Sequence, residues 1–274
     1  MLSVRFRGPN GVEHGTVENG SILSDSRERI PVLDLDRLTL AEPYELLLPL
    51  EPPEVWCAGV TYERSRDARI EESAVEDVYS LVYDAERPEL FLKDAACRRT
   101  VGPGEPIGVR SDSRWNVPEP EIGLVLGDAG EIAGVTIGND VSSRDIEGAN
   151  PLYLPQAKVY AGACALGPAI LTPVPEEPLE IRMRVLNAAE TEIFAGETST
   201  ASMKRSFEEL VSFLVRDNPV PAGSVLLTGT GLVPPDDFTL GQGDTVEIEV
   251  PGIGILANPV VLASSLVERS AAHV

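Results

Sequence analysis

Three acids define the chemistry this chain could perform. Glu119 and Glu121 stand in WNVPEPEIGLVLG, and Asp140 stands in VTIGNDVSSRD. The first segment reads as a β-strand, with apolar residues following at Ile122, Leu124 and Leu126. Residues i and i+2 of a strand share a face, so the two glutamates project together. Carboxylates held side by side repel unless a proton or a cation lies between them. Asp140 closes the next strand, EIAGVTIGND, and would complete an all-oxygen site of the kind that Mg²⁺ or Mn²⁺ prefers. Spacing alone equally allows solvated acids on an edge strand of a very acidic protein.

The cations near these acids are few. Lysine occurs three times, as Lys93, Lys158 and Lys204. Lys158 sits in the apolar, Pro/Tyr-rich run LPQAKVYAG. Beside a divalent cation a lysine has a lowered pKa and can act as a base; otherwise it is a surface lysine that snorkels. Lys93 in ELFLK has the same two readings. Arg144 follows Asp140 by four residues and falls on the first turn of a short helix, SRDIEGAN. There it can grip a substrate carboxylate bidentately, or pair with Asp145 or Glu147. LLTGTG, residues 226–231, is a strand running into a Thr/Gly turn that could hold a carboxylate through amides and hydroxyls. It lacks the Lys-Ser/Thr of a phosphate loop. The two histidines, His14 and His273, are far from the acids in sequence, which argues against a histidine triad, dyad or zinc site.

The elements around these residues are mostly short and β-like. ELFLK, EPIGVR, EIGLVLG, GEIAGVTIGND, ACALGPAIL, LEIRMRVLN, ETEIFAG, SVLLTGT, DTVEIEV and GILANPVVL are separated by turn signals at close intervals. The expected class is mostly β with some α (α+β). Residues 1–50 read as a small N-terminal domain opening on a hairpin around GPNG, and residues 51–274 as the main domain. A charged helical stretch from Tyr62 to about Tyr83 is placed as a lid over a cleft. MKRSFEELVSFLVRDN is an amphipathic helix near the end.

Composition narrows the partners. The 274 residues carry 44 acids against 22 bases, a formal charge of −22, with 43% hydrophobic residues. A field of that sign has no basic stripe for nucleic acid, and the apolar content supports a packed core rather than disorder. An acidic, lysine-poor surface suits a high-salt, halophilic cytosol in which screening removes self-repulsion. No apolar run approaches a membrane span and the N-terminus has no signal core, so a cytoplasmic protein is expected. Cys57, Cys97 and Cys164 are far apart and odd in number, which reads as buried free thiols in a reducing compartment.

The order of motifs resembles the fumarylacetoacetate hydrolase superfamily: GVTY, ELFLK, the ExE strand, GNDVSSRD, the later lysine, ALGP, LLTGTG and a closing GxGDxVEIEVxGIG run, from about residue 55 to residue 260. The resemblance implies a mixed β-roll fold, Mg²⁺ (or Mn²⁺) on Glu119, Glu121 and Asp140, active-site roles for Lys158 and Arg144, and Thr230 as a contact for a substrate carboxylate. It also implies a homodimer or homotetramer. One departure matters. Hydrolases of the family carry a His–Glu dyad after a Gly-Leu-Asn-Tyr-like turn; here Ser65 and Ala68 stand in those places, so the groups that activate water for C–C cleavage are missing. SRDIEGANPLYLPQAKVY and RSDSRWNVPEPE look most like the sugar-acid dehydratase branch, which implies loss of water from a 2-keto-3-deoxy pentonate to give 2,5-dioxopentanoate. On that reading Lys158 removes the C3 proton, and Glu71 or Glu72 on the lid helix, or Glu147, protonates the departing C4 hydroxyl. Lys93 is a further substrate-binding candidate. The competing readings are another 2-keto acid hydrolase or decarboxylase of the same fold, and a non-catalytic protein that collects cations.

Overall fold

The computed structural model describes residues 1–72 and 81–271. Strands come first: β1 (Leu2–Gly8), β2 (Gly11–Glu18), β3 (Ser21–Ser24), β4 (Arg29–Asp34), β5 (Thr39–Leu40) and β6 (Glu45–Leu46). β1 and β2 form the expected hairpin, with Gly8 opposite Gly11 across the GPNG turn. Val4, Phe6, Ile22, Ile30, Leu38 and Leu40 gather into a local apolar cluster. The same β1 pairs with a strand of the main body, so one sheet runs through both regions.

The main body continues with β7 (Glu54–Gly59), α1 (Glu63–Glu72), β8 (Glu89–Ala95), β9 (Thr100–Val101), β10 (Ile107–Val109), β11 (Asn116–Val117), β12 (Pro120–Leu126), β13 (Ile132–Asp140) and β14 (Ser142–Ser143). Then come α2 (Arg144–Ala149), α3 (Leu154–Lys158), β15 (Cys164–Leu171), β16 (Glu180–Leu186), β17 (Glu192–Ser199), α4 (Phe207–Leu214), β18 (Val225–Leu227), β19 (Thr245–Val250), β20 (Gly254–Leu262) and α5 (Ala263–Ala271). Every β segment expected from the main-domain sequence is a strand. The lid helix is described over Glu63–Glu72, and residues 81–84 are helical as well. The side chains of Ala68, Glu71 and Glu72 lie outside the described residues, as does His273.

The long sheet runs β5-β4-β3-β2-β1-β15-β13-β12-β18-β7-β8, and a five-stranded sheet runs β10-β20-β19-β16-β17. Alternation explains how they stack. Ile122, Leu124 and Leu126 of β12 point into the largest core, against Ile181, Met183 and Val185 of β16 and Val246 and Ile248 of β19. Leu210, Val211 and Leu214 of α4 join that core from one apolar face. Val125 faces the opposite way, into a second cluster with Val55, Cys57, Cys164 and Leu227. Glu119 and Glu121 share the odd-numbered side of β12 with Val125, so the acids stand at the end of this second layer. β12 is central in its sheet and buried along its whole length, which removes the edge-strand alternative for the acids. Among the described residues no helix is long and apolar enough to cross a membrane. The cysteines are free; Cys57 and Cys164 are buried as expected, whereas Cys97 is only half-buried.

Candidate active site and metal centre

Strand pairing builds the acid cluster. β12 and β13 are antiparallel, with Pro120 opposite Asn139 and Glu121 opposite Gly138. Continuing that register by one step sets Glu119 against Asp140, and the Asp140 amide donates to the Glu119 carbonyl at 2.9 Å. The Asn139 side-chain oxygen accepts from the Glu119 amide at 3.1 Å, which fixes the strand entry. Glu121 accepts at 2.6 Å from the amide of Gly229 in the LLTGTG turn. Gly229 has φ +88°, and a Cβ there would lie 2.1 Å from the Thr61 hydroxyl, so only glycine brings that amide to Glu121.

One carboxylate oxygen from each of Glu119, Glu121 and Asp140 can be chosen so that all lie within 4.8 Å of one another, and all three residues are buried. Hard oxygen donors gathered at this separation, away from water, suit a divalent cation such as Mg²⁺. Burial is the main cause that pushes the Glu121 carboxyl well above the usual carboxylate range, helped by Asp140 and Glu119; Lys158 and the Gly229 amide oppose it. Protein cations offset the cluster. The Lys158 ammonium donates to Glu119 at 2.6 Å, to Asp140 at 3.0 Å and to the Ser142 hydroxyl at 2.5 Å. Lys93 lies against the second oxygen of Asp140, off the angle of a proper hydrogen bond, and donates to the Val141 carbonyl at 3.0 Å. Arg144 donates to Glu119 at 2.9 Å. The three cations are all but fully buried, so this is a desolvated set of three acids and three bases.

The narrow pocket beside the cluster is walled by Glu119, Glu121, Asp140 and Lys158, and also by Ser65, Glu147, Thr230, Glu89 and Phe91. Beyond the three acids, three sequence candidates line this space: Lys158, Glu147 and Thr230. Ser65, from the first turn of α1, is buried and presents a hydroxyl where the family's hydrolases carry a histidine. Thr230 faces the space while its hydroxyl is exchanged with the carbonyl and amide of Leu232, both at 3.2 Å.

Two sequence readings change. Arg144 is not among the residues that line the pocket, and it donates to Glu119, a metal-ligand candidate. Asp145 instead accepts from Ser113 and from the Arg114 amide. Lys93 is wholly buried behind Asp140 and is absent from the pocket wall, which corrects its reading as a substrate contact. It continues the two-residue alternation of Glu89 and Phe91 along β8, beside a β-bulge. Val55 pairs with Asp94 and Trp56 with Leu92, leaving Lys93 as the extra residue of β8, turned in toward Asp140. Sequence reasoning missed Glu89 and Phe91; the signal available was the two-residue period of PELFLK, which sets Glu89 and Phe91 on one face.

A model of the fumarylacetoacetate (FAA) hydrolase C-terminal family matches residues 54–261. A Haloferax volcanii protein described as a probable 2-keto-3-deoxyxylonate dehydratase is 54% identical over 215 residues, covering 78% of this chain and 74% of that protein. The 2-dehydro-3-deoxy-D-arabinonate dehydratase of Saccharolobus solfataricus is 44% identical over 250 residues, covering 89% of this chain and 83% of that protein. Among solved structures, 2-keto-3-deoxy-D-arabinonate dehydratase complexed with magnesium and 2,5-dioxopentanoate matches with a TM-score of 0.83 at 37% identity, over 95% of this chain and 98% of that one. With the family model spanning residues 54–261 and these relatives covering 78% and 89% of the chain, the chain belongs to the fumarylacetoacetate hydrolase family.

Proposed function

We propose that this protein is a Mg²⁺-dependent hydro-lyase that removes water from a 2-keto-3-deoxy pentonate to give 2,5-dioxopentanoate. The observation that carries the reading is the pocket itself: a buried carboxylate triad with a lysine at its edge, and a serine where water-activating relatives hold a histidine. The names of the two similar dehydratases agree with it.

Glu119, Glu121 and Asp140 would hold Mg²⁺, whose Lewis acidity would make the C3 proton of a 2-keto acid more acidic. The protein's own groups do the rest. Lys158, once released from its contacts with Glu119 and Asp140, is the base for the C3 proton. Glu147 gives a proton to the C4 hydroxyl, which leaves as water. Thr230 closes the carboxylate end of the pocket. Lys93 and Arg144 hold Asp140 and Glu119 in place from behind. Elimination needs no nucleophilic water, so Ser65 in place of the histidine costs the reaction nothing.

The acidic, lysine-poor surface and the Haloferax volcanii relative support salt adaptation, and the free thiols support a reducing, cytoplasmic setting. A homo-oligomer, dimer or tetramer, is the expected assembly. The function is tested by incubating the protein with a panel of 2-keto-3-deoxy sugar acids and Mg²⁺ and scoring the aldehyde product. Aldehyde from a pentonate is the expected result; loss of CO₂ from oxaloacetate with no aldehyde from any sugar acid would overturn it.

A further inference from the structure

Glu121 is held by one backbone amide, and that amide is held by a hydroxyl from outside the pocket wall. Thr61 is buried in the link between β7 and α1 and is not among the residues that line the pocket. Its neighbour Val60 does line the pocket and has φ +53°, a left-handed setting that a β-branched residue rarely takes. Such a setting persists only where the surroundings fix the chain around it. Here they do so on both sides. Gly59, before Val60, is paired in the ladder of β7 with β8. After it, the Thr61 carbonyl accepts from the Lys204 amide at 2.9 Å, and Tyr62 forms a bridge with Met203.

From this fixed backbone the Thr61 side chain reaches a third segment. The parallel pairing of β7 with β18 ends at Cys57 and Leu227. Past that pair the Thr61 hydroxyl donates to the Thr228 carbonyl at 2.7 Å, a buried bond. The Thr228 carbonyl and the Gly229 amide belong to one planar peptide group and point in opposite directions. A donor that holds the carbonyl therefore sets the direction of the amide, which donates to Glu121 at 2.6 Å. Hydrogen bonds in such a chain also polarise one another, so the bond from Thr61 makes the Gly229 amide a stronger donor. The hydroxyl sits close over Gly229, only 2.1 Å from where a Cβ would stand. The Thr228 amide is tied in turn to the Ile122 carbonyl of β12 at 3.0 Å. Resting on the reading that Glu119, Glu121 and Asp140 hold Mg²⁺, we propose that Thr61 is a positioning residue for the metal. Its hydroxyl sets the Thr228–Gly229 peptide, and the peptide holds the Glu121 carboxylate in place as a ligand. Outer-shell partners of this kind orient the groups that touch a metal and tune how tightly it binds.

The test is Mg²⁺ calorimetry on the full-length wild type, Thr61→Val, Thr61→Ala and Thr61→Ser, beside the rate of water loss from the pentonate over a range of Mg²⁺ concentrations. Thr61→Val keeps the shape and removes the hydroxyl; Thr61→Ser keeps the hydroxyl. Thr61→Val and Thr61→Ala are expected to bind Mg²⁺ roughly tenfold more weakly, the lower end of the loss for an outer-shell partner. Thr61→Ser is expected to bind it as the wild type does. Raising Mg²⁺ is expected to return the rate of the two weak binders to the wild-type level, because no group in the pocket has changed. Wild-type Mg²⁺ affinity in Thr61→Val and Thr61→Ala overturns the proposal. So does an equal loss in Thr61→Ser, a rate that stays low at saturating Mg²⁺, or loss of the fold in both variants without the hydroxyl, since each makes Thr61 a residue of packing alone. A wild type that binds no Mg²⁺ is a different failure, that of the metal reading. One that binds Mg²⁺ and leaves every pentonate untouched ends the dehydratase reading, and the calorimetric comparison still decides the role of Thr61.

Discussion

The same residue types, glutamate and a basic partner, occupy two sides of this molecule with opposite consequences. On the outer face of the five-stranded sheet, Arg182 pairs with Glu249 at 3.4 Å, both about half exposed at 51% and 42%. In the pocket, Lys158 bridges Glu119 and Asp140 at exposures of 2–4%. Outside, water screens each charge, and a broken pair is rehydrated at little cost. Inside, each group has given up its hydration, so it depends on its partners, and any change in the set shifts the charge state of the rest. Charge pairs on the sheet face are therefore individually weak and independent, while those in the pocket depend on one another.

The largest test of that contrast is Asp140→Ala. It strips Lys93 and Lys158 of a shared partner at once, and the expected loss is about 3–5 kcal/mol of stability together with Mg²⁺ binding. Thermal unfolding and Mg²⁺ calorimetry measure both; a variant as stable as the wild type would show that the pocket charges are solvated after all. Next, Lys158→Ala removes the proposed base but leaves every carboxylate in place. Dehydration is expected to fall about 10²- to 10⁴-fold while Mg²⁺ still binds. Activity near the wild-type level with full metal occupancy would take Lys158 out of the reaction.

A third test uses pH. The Glu121 carboxyl lies above its unfolded value, so its contribution to stability is complete below the ordinary carboxylate range and is lost as pH rises through the raised value. In EDTA the melting temperature is expected to drop over that window, and Mg²⁺, which binds the ionised form, is expected to abolish the drop. A flat profile in EDTA would contradict the raised carboxyl. Smallest of all, Arg182→Ala on the sheet face is expected to change stability by less than about 1 kcal/mol, and by less still in high salt. A larger effect that survives salt would mean that this face is covered in solution.

Sequence periodicity and turn chemistry carried much of the architecture. The ten main-domain strands, the GPNG hairpin, the short helix after Asp140 and the amphipathic helix near the end all follow from patterns local to each segment. Lys93 shows where such patterns stop. Alternation sets it on the face of Phe91, but its complete burial against Asp140 depends on a strand far away in sequence. Arg144 is a second case: its helix was legible, but its pairing with Glu119 depends on strands and helix meeting across the fold.

Amino-acid order alone determined the kinds of chemistry available here. It placed two acids on one face of a strand, a third at the close of the next, a scarce lysine downstream, and a serine where a histidine would have activated water. The tertiary structure decided which of these groups meet. Register between β12 and β13 set Glu119 against Asp140, the buried centre of the sheet withheld water from them, and long-range packing delivered Lys158, Lys93 and Arg144 as counter-charges. The physical reason is range. Side-chain alternation and turn preference act over a few residues, whereas desolvation and ion pairing depend on neighbours that only the folded chain brings together.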